Sequence, residues 1–147
     1  MKLKLVVAAA VATAAMSLGA AAQDWKLVAL DDQQLTFADG GRVARNPIAA
    51  SLWVLDSYPE VRHVGEGWYP HRSRSLRYVF NCSEETYAIA QWILHQGALG
   101  HGDAVWADRA TAPAFAPVHA GDPQAALLAA ACSGTALAQD GASGRVN

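Results

Sequence analysis

The side chains with chemistry to offer are five histidines, two cysteines, and a basic and aromatic cluster in mid-chain. His95 and His101 bracket a glycine-containing segment, with Asp103 close by. Imidazoles and a carboxylate are metal-ligand types, but nothing in this spacing completes a zinc pattern, and polar surface residues are the simpler reading. No G-x-S-x-G surrounds any serine, so a hydrolase nucleophile has no signature here. Gly40-Gly41 fits a tight turn better than a phosphate-cradling loop. No catalytic residue, metal ligand or cofactor is assigned.

The segment from Asp56 to Arg77 stands out. Past Asp56, Arg62, His63, His71, Arg72, Arg74 and Arg77 gather there against only Glu60 and Glu66, beside Tyr58, Trp68 and Tyr69. Arginine, tryptophan and tyrosine are enriched at binding hot spots. A basic, aromatic patch on an acidic domain suits an anionic glycan, lipopolysaccharide or a protein ligand. The plainer reading is a solvated loop whose aromatics cover a sheet edge. Pro59, Gly65, Gly67 and Pro70 punctuate the stretch. Asp56 to Arg74 is therefore expected to be a long loop between two strands, of the kind that often carries function. The candidate ligand-binding residues are Tyr58, Arg62, Trp68, Tyr69, Arg72, Arg74 and Arg77.

Such a loop needs a scaffold. The stretch from Ser75 to Cys82 alternates, with Leu76, Tyr78 and Phe80 on one parity and Ser75, Arg77 and Asn81 on the other. That is the period-two mark of a half-buried strand. Trp25 to Leu30 reads as a first strand and Gln34 to Ala38 as a second. Asp39-Gly40-Gly41 predicts a hairpin turn with Arg42 to Arg45 as the return strand. Ala50 to Leu55 is apolar enough to be buried on both faces. Glu84 to Gln96 is ambiguous: it alternates as a strand, but Ser83 and Gly97 would also cap a helix. Ala104 to Ala107 is a short strand, and the prolines at 113 and 117 keep Ala112 to Pro117 extended. Asp122-Pro123 opens a helix, N-cap followed by proline at N1, in which Ala125, Leu128 and Cys132 share a face.

The first 22 residues carry an address. Lys2 and Lys4 precede an apolar run, and Ala20-Ala21-Ala22 offers a cleavage site, the pattern of a secretory signal peptide and not of a retained membrane helix. No cysteine follows the site, so no lipid anchor and no membrane span are expected after cleavage. Without Lys2 and Lys4, nine basic residues face thirteen acidic ones, a net charge of −4 that argues against nucleic acid as a partner. Two cysteines in an exported chain are expected to pair, with two buried free thiols as the alternative. Residues 23–133 then form one domain, and 134–147, poor in apolar residues, read as a disordered tail.

The order of features resembles the surface-adhesin protein E-like domain family of Gram-negative bacteria. Its marks are the Trp25 strand, Trp53 in a buried strand, and the strand ending at Cys82. They continue with the Tyr87 segment, Gly97, and Val118-His119-Ala120-Gly121-Asp122 leading to Leu127, Leu128 and Cys132. The family usually has proline before that glycine and a hydroxyl residue after it, where this chain has Ala120 and Asp122. The resemblance implies an α+β fold: an antiparallel sheet of about six strands with one C-terminal helix packed on it. It also implies a Cys82–Cys132 disulfide, and a strand from Thr86 to His95. For partners it implies host matrix or serum proteins, as in the family's best-known member, a cell-surface lipoprotein.

The expected function is an exported, non-enzymatic, adhesin-like binding module for a host or envelope protein or an anionic glycan, with a homodimer as a further option. The alternative is a periplasmic small-ligand carrier or an inhibitor of a periplasmic enzyme, its ligand held between sheet and helix. An unrecognised hydrolase is the third. The expected location is periplasmic, cell-surface or secreted. Cleavage between Ala22 and Gln23 can be checked by the intact mass of protein recovered from the cell envelope. The expected mass starts at Gln23, and a mass that retains Met1 to Ala22 would overturn the reading.

Overall fold

The computed structural model describes residues 23–64, 68–135 and 137. The expected signal peptide and nearly all of the expected tail lie outside the described residues. The elements are β1 (Trp25–Leu30), β2 (Leu35–Asp39), β3 (Ala44–Arg45), β4 (Ala49–Val64), β5 (Tyr69–Asn81), β6 (Thr86–His95), β7 (Ala104–Arg109), β8 (Ala116–Pro117) and α1 (Pro123–Ser133). One antiparallel sheet runs β1-β2-β4-β5-β6-β7, with β3 beside β4 and β8 beside β6. The α+β arrangement implied by the resemblance is the one observed.

The long pair β4–β5 forms the middle of the sheet. Ala50 lies opposite Phe80, Leu52 opposite Tyr78, and Val54 opposite Leu76. These six are buried and, with Ala38, Leu127 and Ala131, make the core between sheet and helix. The alternating residues point to the other face, where no α-helix lies among the described residues.

The ambiguous segment is a strand. Thr86–His95 pairs with β5 on one side and with β7 and β8 on the other, so its backbone groups are satisfied by neighbours. A helix starting at Ser83 is pre-empted by Asn81. Its Oδ1 accepts hydrogen bonds from Ser83 N, Ser83 Oγ and Glu84 N. This Asx turn leads into Glu85 at φ 51°, outside the helical region.

Two expected connections give way. Asp39-Gly40-Gly41 does not close a hairpin. The buried Asp39 carboxylate accepts from Gly41 N at 3.0 Å, from Asp24 N at 2.9 Å and from Arg42 Nε, which winds Gly40–Arg42 into a 3-10 turn. The chain then continues along the same edge, and β3 pairs with β4, not with β2. Asp56 to Arg74 is likewise not a loop. β4 runs through it to Val64 and β5 starts at Tyr69, with a four-residue bulge that places Tyr58–Val61 against the single residue Arg72. The bulge contains Pro59, which has no N–H to give a ladder. It conceals the strand because the side-chain parity resets across it.

The helix begins at Pro123 as its N1 residue. The Asp122 side chain turns back to accept from His119 N at 2.9 Å instead of capping the helix. Leu127, Ala130 and Ala131 are the buried positions, so the packed stripe is rotated from the expected Ala125–Leu128–Cys132 line, although Leu128 and Cys132 still touch the core. In an alanine-rich helix small side chains permit several close approaches, and the sheet chooses among them. Arg45 donates to the carbonyls of Ala131 and Ala130, at 2.5 and 2.7 Å, satisfying two end groups of the helix.

Cys82 at the end of β5 is bonded to Cys132, 50 positions away. Closing a loop of that length stabilises a fold by about 4 kcal/mol in the chain-entropy model. The double variant Cys82→Ser, Cys132→Ser is expected to lose roughly that much in urea denaturation and to expose the helix first in hydrogen exchange. A loss under about 1 kcal/mol would mean that Arg45 and the core hold the helix without the bond.

Candidate functional site

Beyond the bulge the hairpin projects as an arm. Pairing resumes at Arg62 with His71, His63 with Pro70, and Val64 with Tyr69. Three interactions fix the base of the arm. Arg72 Nη2 donates to Pro59 O across the bulge at 2.9 Å. Tyr58 is buried, 3% exposed, with its ring edge-to-face on His71 at 5.8 Å and the Arg62 guanidinium 4.1 Å above it. Tyr69 lies 6.0 Å from Trp106, and Trp106 lies 6.1 Å from Trp92, an aromatic row that joins the arm to the core. Trp68 has no such support. It is 71% exposed, sits at φ 48°, and touches His63 at 5.4 Å, with Val61 and Val64 also exposed on the arm.

The seven candidate residues therefore separate. Arg62, Trp68, Tyr69 and Arg72 belong to the arm. Arg62 also reaches Gln33 O at 3.1 Å. Tyr58 lies beneath it; burial raises its pKa, so it stays neutral. Arg74 is one row inward, where its Nε donates to Asp56 Oδ2 at 2.9 Å and Thr36 Oγ1 donates to Asp56 Oδ1 at 2.8 Å. Burial works to lower the Arg74 pKa, but Tyr58 and Asp56 outweigh it and the guanidinium is held more firmly protonated. Arg77 lies on the helix-free face of the sheet, opposite Trp53, with its Nη2 3.4 Å from Ser51 Oγ.

That helix-free face carries a feature the linear pattern did not announce. A cleft of about 270 Å³ is lined by Trp25, Arg42, Trp53, Leu55, Ser75 and His95, among others. Ser75 Oγ and His95 Nε2 are 2.9 Å apart. Burial lowers the His95 pKa, so the imidazole is neutral at pH 7. The one sequence signal was that Trp53 and Leu55 are as apolar as Leu52 and Val54, on the opposite parity. Between sheet and helix, where the alternative reading placed a carried ligand, the core cluster packs. Among the described residues no three His, Cys, Asp or Glu side chains converge to hold a metal, and no helix is long and apolar enough to cross a membrane.

A family model for surface-adhesin protein E matches residues 25–133. Two solved structures of Haemophilus influenzae protein E share the fold. One, in crystal form II, aligns with TM-score 0.53 and 9% identity over 78% of this chain and 98% of that one. The other aligns with TM-score 0.51 and 11% identity over 79% and 97%. No curated protein matches the sequence.

Asp56 and Arg74 make a pair of unequal members. Asp56 is 3% exposed, whereas Arg74 reaches solvent. Arg74→Ala strands a buried carboxylate with Thr36 as its one remaining side-chain partner, and is expected to cost about 2–4 kcal/mol in denaturation. Asp56→Asn keeps the shape and leaves Arg74 free to turn to water, and should cost about 1–2 kcal/mol. The reverse order would refute this account of the pair.

Proposed function

The chain belongs to the surface-adhesin protein E family, and from that premise we propose that it is an exported, non-enzymatic binding module whose β4–β5 arm engages its partner. The observation that carries this reading is Trp68, a large aromatic 71% exposed at the end of a rigidly based arm. Large apolar groups in that position lose water on docking, and among the described residues the aromatic neighbour of this one is His63, itself on the arm. Val61 and Val64 extend the apolar surface, and Arg62, His63 and Arg72 surround it with basic groups. Apolar centre and charged surround are the division of labour of a protein-binding surface. The excess of basic over acidic groups favours a partner with acidic groups, a protein or an anionic glycan.

Arg62 and Arg72 are already braced by main-chain carbonyls, so their side chains lose little freedom on binding. Tyr58, Arg74 and Arg77 are assigned supporting parts: the first two stiffen the base of the arm and the third adds charge on the sheet.

The test uses immobilised matrix proteins and heparin as probes. Trp68→Ala is expected to weaken binding at least fivefold, about 1 kcal/mol, with the melting temperature unchanged. Arg72→Ala should act mainly on the association rate, with an effect that shrinks at high salt. If Trp68→Ala lowers the melting temperature and leaves binding per folded molecule unchanged, the arm is structural and the proposal fails.

A further inference from the structure

We propose that the cleft on the helix-free face binds a small neutral aromatic molecule with one hydroxyl or ring N–H, of phenol or indole size. The site is independent of the arm, and four features of its construction define the ligand.

The first is its floor. Leu55, Ser75 and Ile93 lie side by side across β4, β5 and β6, with Trp53 next along β4 and His95 next along β6. Trp25 forms one wall, with the Arg42 guanidinium 5.8 Å above its ring. The opposite wall is the turn Ala98–Gly100. Two tryptophans and aliphatic side chains suit a flat apolar ring. They cannot satisfy the many hydroxyls of a sugar, each of which would lose water without a partner.

The second feature is the wall at Leu99. Two buried serines hold this turn: Ser57 Oγ accepts from Leu99 N at 3.0 Å, and Ser73 Oγ accepts from Gly100 N at 2.8 Å while donating to Gly97 O at 2.6 Å. Leu99 sits at φ 54°, where leucine is strained, and is 47% exposed. Glycine or asparagine would serve the turn at lower energy. A strained, exposed leucine held by buried hydrogen bonds at the rim of a cleft is what a ligand contact requires, and the turn alone does not explain it.

The third feature is charge. Arg42 is neutralised by buried Asp39, and His95 carries no charge at pH 7. Arg77, one row away, turns to Ser51. Arg77 is outside the lining, and the residues that line the cleft therefore offer no uncompensated charge to an ionised head group. What the cleft offers is the Ser75 hydroxyl, hydrogen-bonded to His95 Nε2 and with capacity left on its oxygen for one ligand hydroxyl or N–H. The fourth is size: about 270 Å³ is just below the usual range for ligand pockets, room for one ring or two fused rings.

The experiment is a titration of the full mature protein with phenol and with indole. It follows the indole N–H signals of Trp25 and Trp53 by heteronuclear NMR, with benzoate and glucose as comparators. Saturable shifts are expected for phenol and indole, with benzoate at least tenfold weaker and glucose silent. Leu99→Asn separates ligand contact from structure: it relieves the turn, so the melting temperature should hold or rise while affinity falls about fivefold or more. Ser75→Ala should lower affinity by a similar factor, and Trp68→Ala, on the arm, should leave it unchanged. The proposal is overturned if phenol and indole give no saturable shift, if benzoate or glucose binds as well, or if Leu99→Asn keeps full affinity.

Discussion

The pairing of β4 with β5 is the constraint from which the other features follow. β4 has 16 residues and β5 has 13, longer than most strands, and short of the bulge each has a neighbouring strand on both sides. Their shared register puts Ala50, Leu52 and Val54 against Phe80, Tyr78 and Leu76, creating the face the helix must cover. The same register sends Trp53, Leu55 and Ser75 to the opposite face and makes them the floor of the cleft. Carried past the bulge, it builds the arm. A slip of one residue would exchange the two faces and abolish all three features together.

The two faces are finished differently. On one, Ala131 and Leu127 lie against the sheet, and the helix is held by the disulfide at Cys132 and by Arg45 at its last carbonyls. Beyond the helix that face turns polar, where Asp56 binds Thr36 and Arg74. On the other face, short segments at the margins stand in for a second layer. The Asp39-centred turn brings Arg42 over Trp25, and the hydrogen bonds of Ser57 and Ser73 to the turn at Leu99 and Gly100 bring Gly100 against Leu55. Buried polar groups thus position the cleft walls instead of adding to a second core.

The mid-chain aromatics show how one patch of sequence can be divided among roles. Tyr58 is drawn under the arm by the bulge, and Tyr69 is drawn onto Trp106. Trp68, next to Tyr69 in sequence, faces solvent beside His63. Trp68 stands in a left-handed turn conformation just before β5, whereas Tyr69 is the first residue of that strand, so residues that look like one cluster in sequence need not meet one ligand.

What could be read from the sequence alone was local or chemical. The parity of Leu76, Tyr78 and Phe80 is a property of neighbours, as is the Asp122-Pro123 helix start, and both are observed. With two cysteines in the chain, one intramolecular pairing was possible. The strand at Thr86–His95 came from resemblance, because its own pattern allowed a helix; Asn81 and the flanking strands decide against one. The hairpin expected at Asp39 failed because a buried carboxylate draws its own turn, and nothing in Asp-Gly-Gly shows that Asp39 will be buried. The loop expected at Asp56–Arg74 failed because a bulge resets parity. The meeting of Ser75 with His95, 20 positions apart, and of Trp25 with Trp53 at one cleft depends on strand order and register. Those are relations between distant segments, settled by which faces can be buried together, and no local pattern in the chain contains them.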